Sequence, residues 1–159
     1  MKYYLKTTAF FAPAVFLALL LSGSLYPASA GAIQWDSYET GIAKAKEQEK
    51  KIFLHFYADW CRYCKVMDKK TFMDKAVMDY LNNYFVAIRV NSDKEREIAL
   101  KYRVRGVPAN WFISEDNEVI GNRPGYITPE DMIVFLKFIK TESYKTMTLN
   151  KFKEKHKYE

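Results

Sequence analysis

The chain has 159 residues, with 25 Lys or Arg against 19 Asp or Glu and a formal charge of +6. That length suits one domain with one core, and the mild positive excess comes without the basic-aromatic pattern of a nucleic-acid binder. Two cysteines give only one possible pair, too closely spaced to staple distant segments.

Residues 1–30 read as a secretory signal. Lys2 and Lys6 give a positive start, Ala9 to Leu21 is apolar apart from Pro13, and Ala28-Ser29-Ala30 offers small residues for cleavage. The rival reading, an uncleaved anchor, suffers from an apolar run short for a span of about 20 residues. No cysteine lies near the cut, so a lipid-modified N-terminus is not supported. Cleavage after Ala30 leaves 129 residues, and losing Lys2 and Lys6 takes the charge from +6 to +4. The expected destination is the periplasm or the exterior.

Ile33-Gln34-Trp35 suggests a short edge strand, and Tyr38 to Lys50 alternates alanine with charge as a helix with an exposed face does. Lys51 to Tyr57 is apolar and aromatic enough for a strand buried on both faces. Helix is expected over Cys61 to Lys70, then a break at Thr71-Phe72-Met73-Asp74, where Asp74 caps a second segment running to about Asn82. Tyr84 to Val90 reads as a strand and Lys94 to Tyr102 as a helix. Trp111 to Ser114 and Glu118 to Asn122 form a hairpin around Glu115-Asp116-Asn117. Thr128-Pro129-Glu130-Asp131 then starts a helix with Met132, Ile133, Phe135, Leu136 and Ile139 on its apolar face. The order β-α-β-α-β-α-β-β-α predicts an α/β fold, a mixed sheet with helices on both faces, over residues 31–140. Residues 141–159 form a basic tail with Lys151, Lys153, Lys155 and Lys157. Met147, Leu149 and Phe152 lie on no clean stripe, so the tail is expected to be solvated and partly ordered rather than an added amphipathic helix.

Chemistry concentrates at Trp60-Cys61-Arg62-Tyr63-Cys64-Lys65. A strand ending in Cys-x-x-Cys that turns into a helix puts the first sulfur at a helix N-terminus, where free N–H groups and the dipole favour thiolate. The second sulfur, one turn on, can close a small disulfide, the layout of a redox dithiol. A short loop removes little unfolded-state entropy, so stabilisation is a poor reason for the bridge. A zinc site lacks ligands, since only His55 and His156 join the two cysteines. Covalent haem needs histidine at position 65, which is Lys65. No cofactor or metal is expected.

Two segments, Phe56-Tyr57-Ala58-Asp59-Trp60-Cys61-Arg62-Tyr63-Cys64-Lys65 and Lys101-Tyr102-Arg103-Val104-Arg105-Gly106-Val107-Pro108, together resemble the thioredoxin family over about Ile33 to Lys140. Tyr57 to Cys61 and Thr71-Phe72 are similar to the exported thioredoxin-like domains of bacterial membrane thiol:disulfide interchange reductases. The resemblance implies a thioredoxin fold and a thiol–disulfide oxidoreductase. Cys61 would be an exposed attacking thiolate and Cys64 the resolving thiol. Pro108 would follow a cis bond and present the Val107 backbone to an extended substrate. Trp60 would shield the bridge, or be an ordinary core or surface aromatic.

Two departures bear on mechanism. His55 stands where many relatives bury an acid, and Arg89 where they often have lysine. Neutral His55 would accept the Cys64 proton, imidazolium would stabilise the Cys61 thiolate, and the bland alternative is a strand histidine bonded to backbone. Arg62-Tyr63 replaces Gly-Pro. Arg62 and Lys65 favour thiolate and push the potential toward oxidant, or Arg62 is a surface charge that selects an acidic partner.

The leading expectation is an exported, monomeric reductase of protein disulfides, supplied by a membrane thiol–disulfide electron donor. A narrower version delivers electrons to apocytochrome cysteines. The alternatives are a disulfide oxidase or isomerase acting on dithiols, and a non-catalytic protein-binding module.

Overall fold

The structure is a computed structural model and describes residues 31–156. The expected signal segment, 1–30, and Lys157 of the tail lie outside the described residues.

The first strand, β1 (Trp35–Asp36), leads into α1 (Tyr38–Glu47), whose N-cap Ser37 accepts from the Thr40 N–H. β2 (Lys51–Tyr57) runs through the centre and is followed by α2 (Arg62–Lys69) and α3 (Lys75–Tyr84). Asp74 caps α3 through its side chain, as its position before the helix predicts. β3 (Phe85–Asn91), α4 (Arg96–Lys101), β4 (Ala109–Ile113), β5 (Val119–Pro124) and α5 (Pro129–Lys140) complete the pattern. α5 has Thr128 as N-cap and Pro129 in its first turn, where a missing N–H costs nothing.

The five strands form one mixed sheet in the order β1-β3-β2-β4-β5. β2 pairs parallel with β3 and antiparallel with β4, and β4 pairs antiparallel with β5. β2 is flanked by strands on both edges and by helices on both faces, so its side chains alternate between two buried layers. Ile52, Leu54 and Phe56 join the core beneath α1 and α4, while Phe53 packs with Met67, Phe72, Leu81 and Leu136 under α2, α3 and α5. Each fully buried large apolar side chain of this kind contributes about 1.5–3 kcal/mol. Among the described residues no helix is long and apolar enough to cross a membrane.

Several limits shift by one or two residues, and β5 runs on to Pro124 rather than ending at Asn122. β4 starts two residues early, at Ala109, because Ala109 and Asn110 pair with Phe56 and His55 of β2. The tail is also more ordered than expected. A 3-10 turn (Ser143–Lys145) leads to α6 (Leu149–Lys155), capped by Thr148. Phe152 is buried against Phe138 of α5, with ring centroids 5.3 Å apart, and Lys153 pairs with Asp131 at 2.6 Å. One apolar anchor with a cross-helix partner orders the segment without a continuous stripe.

Candidate functional site

Cys61 is the N-cap of α2, and its Sγ accepts the Cys64 N–H at 3.1 Å. The two cysteines form a disulfide with Cα atoms 5.3 Å apart. The local reason is the helix itself: residues three apart lie one turn from each other, with the first at the end of β2's exit loop. The sequence expectation of an exposed Cys61 is corrected by its burial. Cys61 is 2% exposed and Cys64 1%, packed with Ala58, Tyr57 and Val107. A bridged sulfur pair is apolar, so that contact costs no charge desolvation.

The Val107–Pro108 peptide bond is cis. Pro108 is buried, and its carbonyl accepts the Gly125 N–H at 2.7 Å. Gly125 has φ +86°, in the region where a side chain is strained, so glycine suits this turn after β5. Thus the loop before β4 brings Val107 against the sulfurs.

Trp60 is 69% exposed, and its Nε1 donates to Asp93 at 2.9 Å. Its ring lines a surface cavity with Leu100 and Val107. It is a tethered surface aromatic. The tether belongs to a wider brace between the loops after β2 and β3: Asn91 donates to Asp59 at 3.1 Å, and Lys94 pairs with Asp59 at 3.1 Å. Arg62 and Lys65 are exposed, and neither forms an ion pair among the described residues.

His55 is fully buried on the sheet face that carries Phe53 and Tyr57, with the Phe72 ring edge-on at 4.9 Å. Its tautomer follows from Asn110. The Asn110 amide nitrogen donates to the carbonyls of Arg123 at 3.1 Å and Gly125 at 3.2 Å. With both N–H groups engaged, Asn110 presents its oxygen to His55 Nδ1 at 2.8 Å. His55 Nδ1 is therefore the donor and Nε2 carries the lone pair, buried and without a hydrogen-bond partner. The partner is a side chain rather than the backbone group weighed from sequence. Burial holds the imidazole down at about 4, with Arg89 pushing the same way against the Asn110 bond and Asp68. The ring is neutral at neutral pH.

Arg89 lies directly opposite His55 in the parallel register. Its guanidinium stacks over Tyr57 at 4.1 Å and pairs with Asp68 of α2 at 2.8 Å. Asn110, Asp68 and Asn91 escape a reading by sequence motif. The one available signal is Asn110, a poor strand former between Ala109 and Trp111. Among the described residues no group of three or more His, Cys, Asp or Glu is placed to hold a metal ion.

The family model for the thioredoxin-like domain matches residues 38–140. The chain belongs to the thioredoxin-like family. It is 32% identical over 87 residues to the thiol:disulfide interchange protein DsbD of Vibrio cholerae, covering 53% of this chain and 14% of that protein. The chain thus spans a small part of that relative. A thioredoxin of Buchnera aphidicola is 28% identical over 90 residues, 57% of this chain and 79% of its own length. The solution structure of a thioredoxin from Thermus thermophilus superposes with a TM-score of 0.61 at 24% identity, covering 80% of this chain and 99% of that one. The thioredoxin-like frame accounts for the meeting of α2 and the Val107–Pro108 loop.

Proposed function

We propose that this thioredoxin-like protein is an exported reductase of protein disulfides. The single observation that carries the reading is the Cys61–Cys64 pair at the start of α2, packed against Val107 beside a cis Val107–Pro108 bond. Export is supported by the charged, apolar and small-residue order of residues 1–30, with cleavage after Ala30, and by likeness to a protein named for thiol:disulfide interchange. The mature protein acts as a monomeric thioredoxin-like domain with its basic tail.

In the dithiol state, the Cys61 thiolate attacks one sulfur of a substrate disulfide. A Cys61–substrate bond forms and the other substrate sulfur leaves as thiolate. The substrate thiolate released in the first step takes up the proton of Cys64, since buried His55, held at about 4, is too weak a base to keep it. The Cys64 thiolate then attacks Cys61 Sγ and displaces the second substrate sulfur. Two electrons pass to the substrate, which becomes a dithiol, and the Cys61–Cys64 bridge remains. A membrane thiol–disulfide donor supplies two electrons to reopen it. Val107 offers its backbone to the extended substrate as an added strand does, while Trp60 gives an apolar contact. Arg62 and Lys65 place positive charge near the attacking sulfur.

The test is capture on a Cys64→Ser variant in the compartment where the protein resides. The variant cannot resolve, so substrates should accumulate as mixed disulfides on Cys61 and be identified by mass spectrometry. Recovery of proteins whose disulfides are then found reduced in wild-type cells supports the reading. Absence of any Cys61 adduct removes it, and a strongly oxidising equilibrium with glutathione replaces it with an oxidase.

A further inference from the structure

Two surface cavities meet at Val107, and arginines line both. The first, about 530 Å³, has Val107, Pro108 and Trp111 in its wall with Arg103 and Arg105. The second, about 330 Å³, has an apolar shelf of Trp60 and Leu100, and its charged lining is Arg96, Arg105 and Asp93. Trp60, before α2, and Leu100, in α4, are 69% and 74% exposed large apolar side chains.

The arginines are free to recognise something. Arg96, Arg103 and Arg105 are exposed, and none forms an ion pair among the described residues. Of the nearby acids, Asp59 is paired with Lys94, and Asp93 accepts the Trp60 indole N–H. The two linings together carry three guanidinium groups against one carboxylate, and Arg62 adds another exposed cation beside Cys61. Guanidinium groups grip carboxylates in a bidentate geometry that lysine does not reproduce. Arginine with tryptophan is also the usual make-up of an interface's energetic centre.

We propose that this groove selects extended segments of partner proteins in which acidic residues flank the reacting cysteine. Carboxylates on one side of that cysteine engage Arg103 and Arg105, those on the other engage Arg96, and an apolar side chain rests on Trp60 and Leu100. The inference rests on the oxidoreductase reading above and adds the substrate's charge class. Complementary charge acts mainly on encounter and selection, so it is strongest at low salt.

The experiment uses the reduced protein and three synthetic peptides of equal length, each closed by one disulfide and flanked by Glu, by Lys or by Ser. Reduction rates are followed by tryptophan fluorescence and chromatography. At low ionic strength the Glu peptide should react about tenfold faster than the Lys peptide, with the Ser peptide between. The ratio should fall toward one near 1 M salt, where screening acts within about 3 Å. Arg103→Glu with Arg105→Glu should reverse the order, whereas Lys75→Glu, an exposed change on α3, should preserve it. The wild-type salt series needs no variant, so a folding defect in the double change leaves the test intact. Equal rates for all three peptides, or a faster Lys peptide, overturn the charge selection alone. Failure to reduce even the Ser peptide overturns the oxidoreductase reading beneath it.

Discussion

His55 sits where protonation is expensive: fully buried, facing Arg89 from β3 and Asp68 from α2, and bonded to the neutral Asn110 of β4. Its ordinary value of 6.5 falls to about 4 in the fold, chiefly through burial. The unfolded chain therefore binds more protons between those values, and stability rises with pH across that window. His55 costs nothing well above 6.5 and lowers stability progressively as pH drops toward 4, by about 3 kcal/mol in full. Urea unfolding at pH 7 and pH 4 should show this loss in the wild type. A His55→Gln variant should show a loss smaller by most of that amount, and an unchanged pH dependence would mean that the ring is not buried neutral. The Cys61–Cys64 pairing and the cis bond before Pro108 are legible in the sequence because residue type and short motifs carry them. Asn110 is not, since its value comes from the β2–β4 register, which pairs positions 55 residues apart in the chain. The burial of Cys61 is equally hidden, because the Val107 loop that covers it arrives from another part of the fold.

Element by element, period and caps predict the strands and helices well: β2 has the expected limits, and Asp74 and Thr128 cap the helices that they precede. The segment after Thr141 is less legible, because its order depends on one side chain and a partner helix. Phe152 is 3% exposed, stacked edge-on to Phe138, while the Lys153–Asp131 pair beside it is half exposed. An exposed pair of that kind contributes at most about 1 kcal/mol, so the phenylalanine dominates. Phe152→Ala should lower the unfolding free energy by about 3 kcal/mol, read as a shifted denaturant midpoint with the slope nearly unchanged. Lys153→Ala should cost under about 1 kcal/mol. If Phe152→Ala were as mild as Lys153→Ala, α6 would be an ornament rather than part of the core.

For the whole molecule, redox potential and folding stability are tied by one cycle. If the disulfide form is the more stable, the folded couple is more reducing than the same cysteines in the unfolded chain. The fold already holds the two Cα atoms 5.3 Å apart, so bridging restricts mainly the unfolded state, worth about 2 kcal/mol for so short a loop. Opposing this, the reduced state gains from a thiolate at the α2 N-cap, near Arg62 and Lys65. Those cations are exposed and screened, each worth less than about 1 kcal/mol. Arg62 and Lys65 thus push the couple toward oxidant by less than the loop closure pulls it toward reductant. The oxidised protein should unfold in urea with about 2 kcal/mol more stability than the reduced protein at pH 7. By the same cycle the folded couple should lie about 40 mV below that of the unfolded chain. An oxidase has the opposite sign, its reduced form being the stabilised one. Paired unfolding curves of the two redox states therefore decide the direction of electron flow that the fold favours, without knowledge of any substrate.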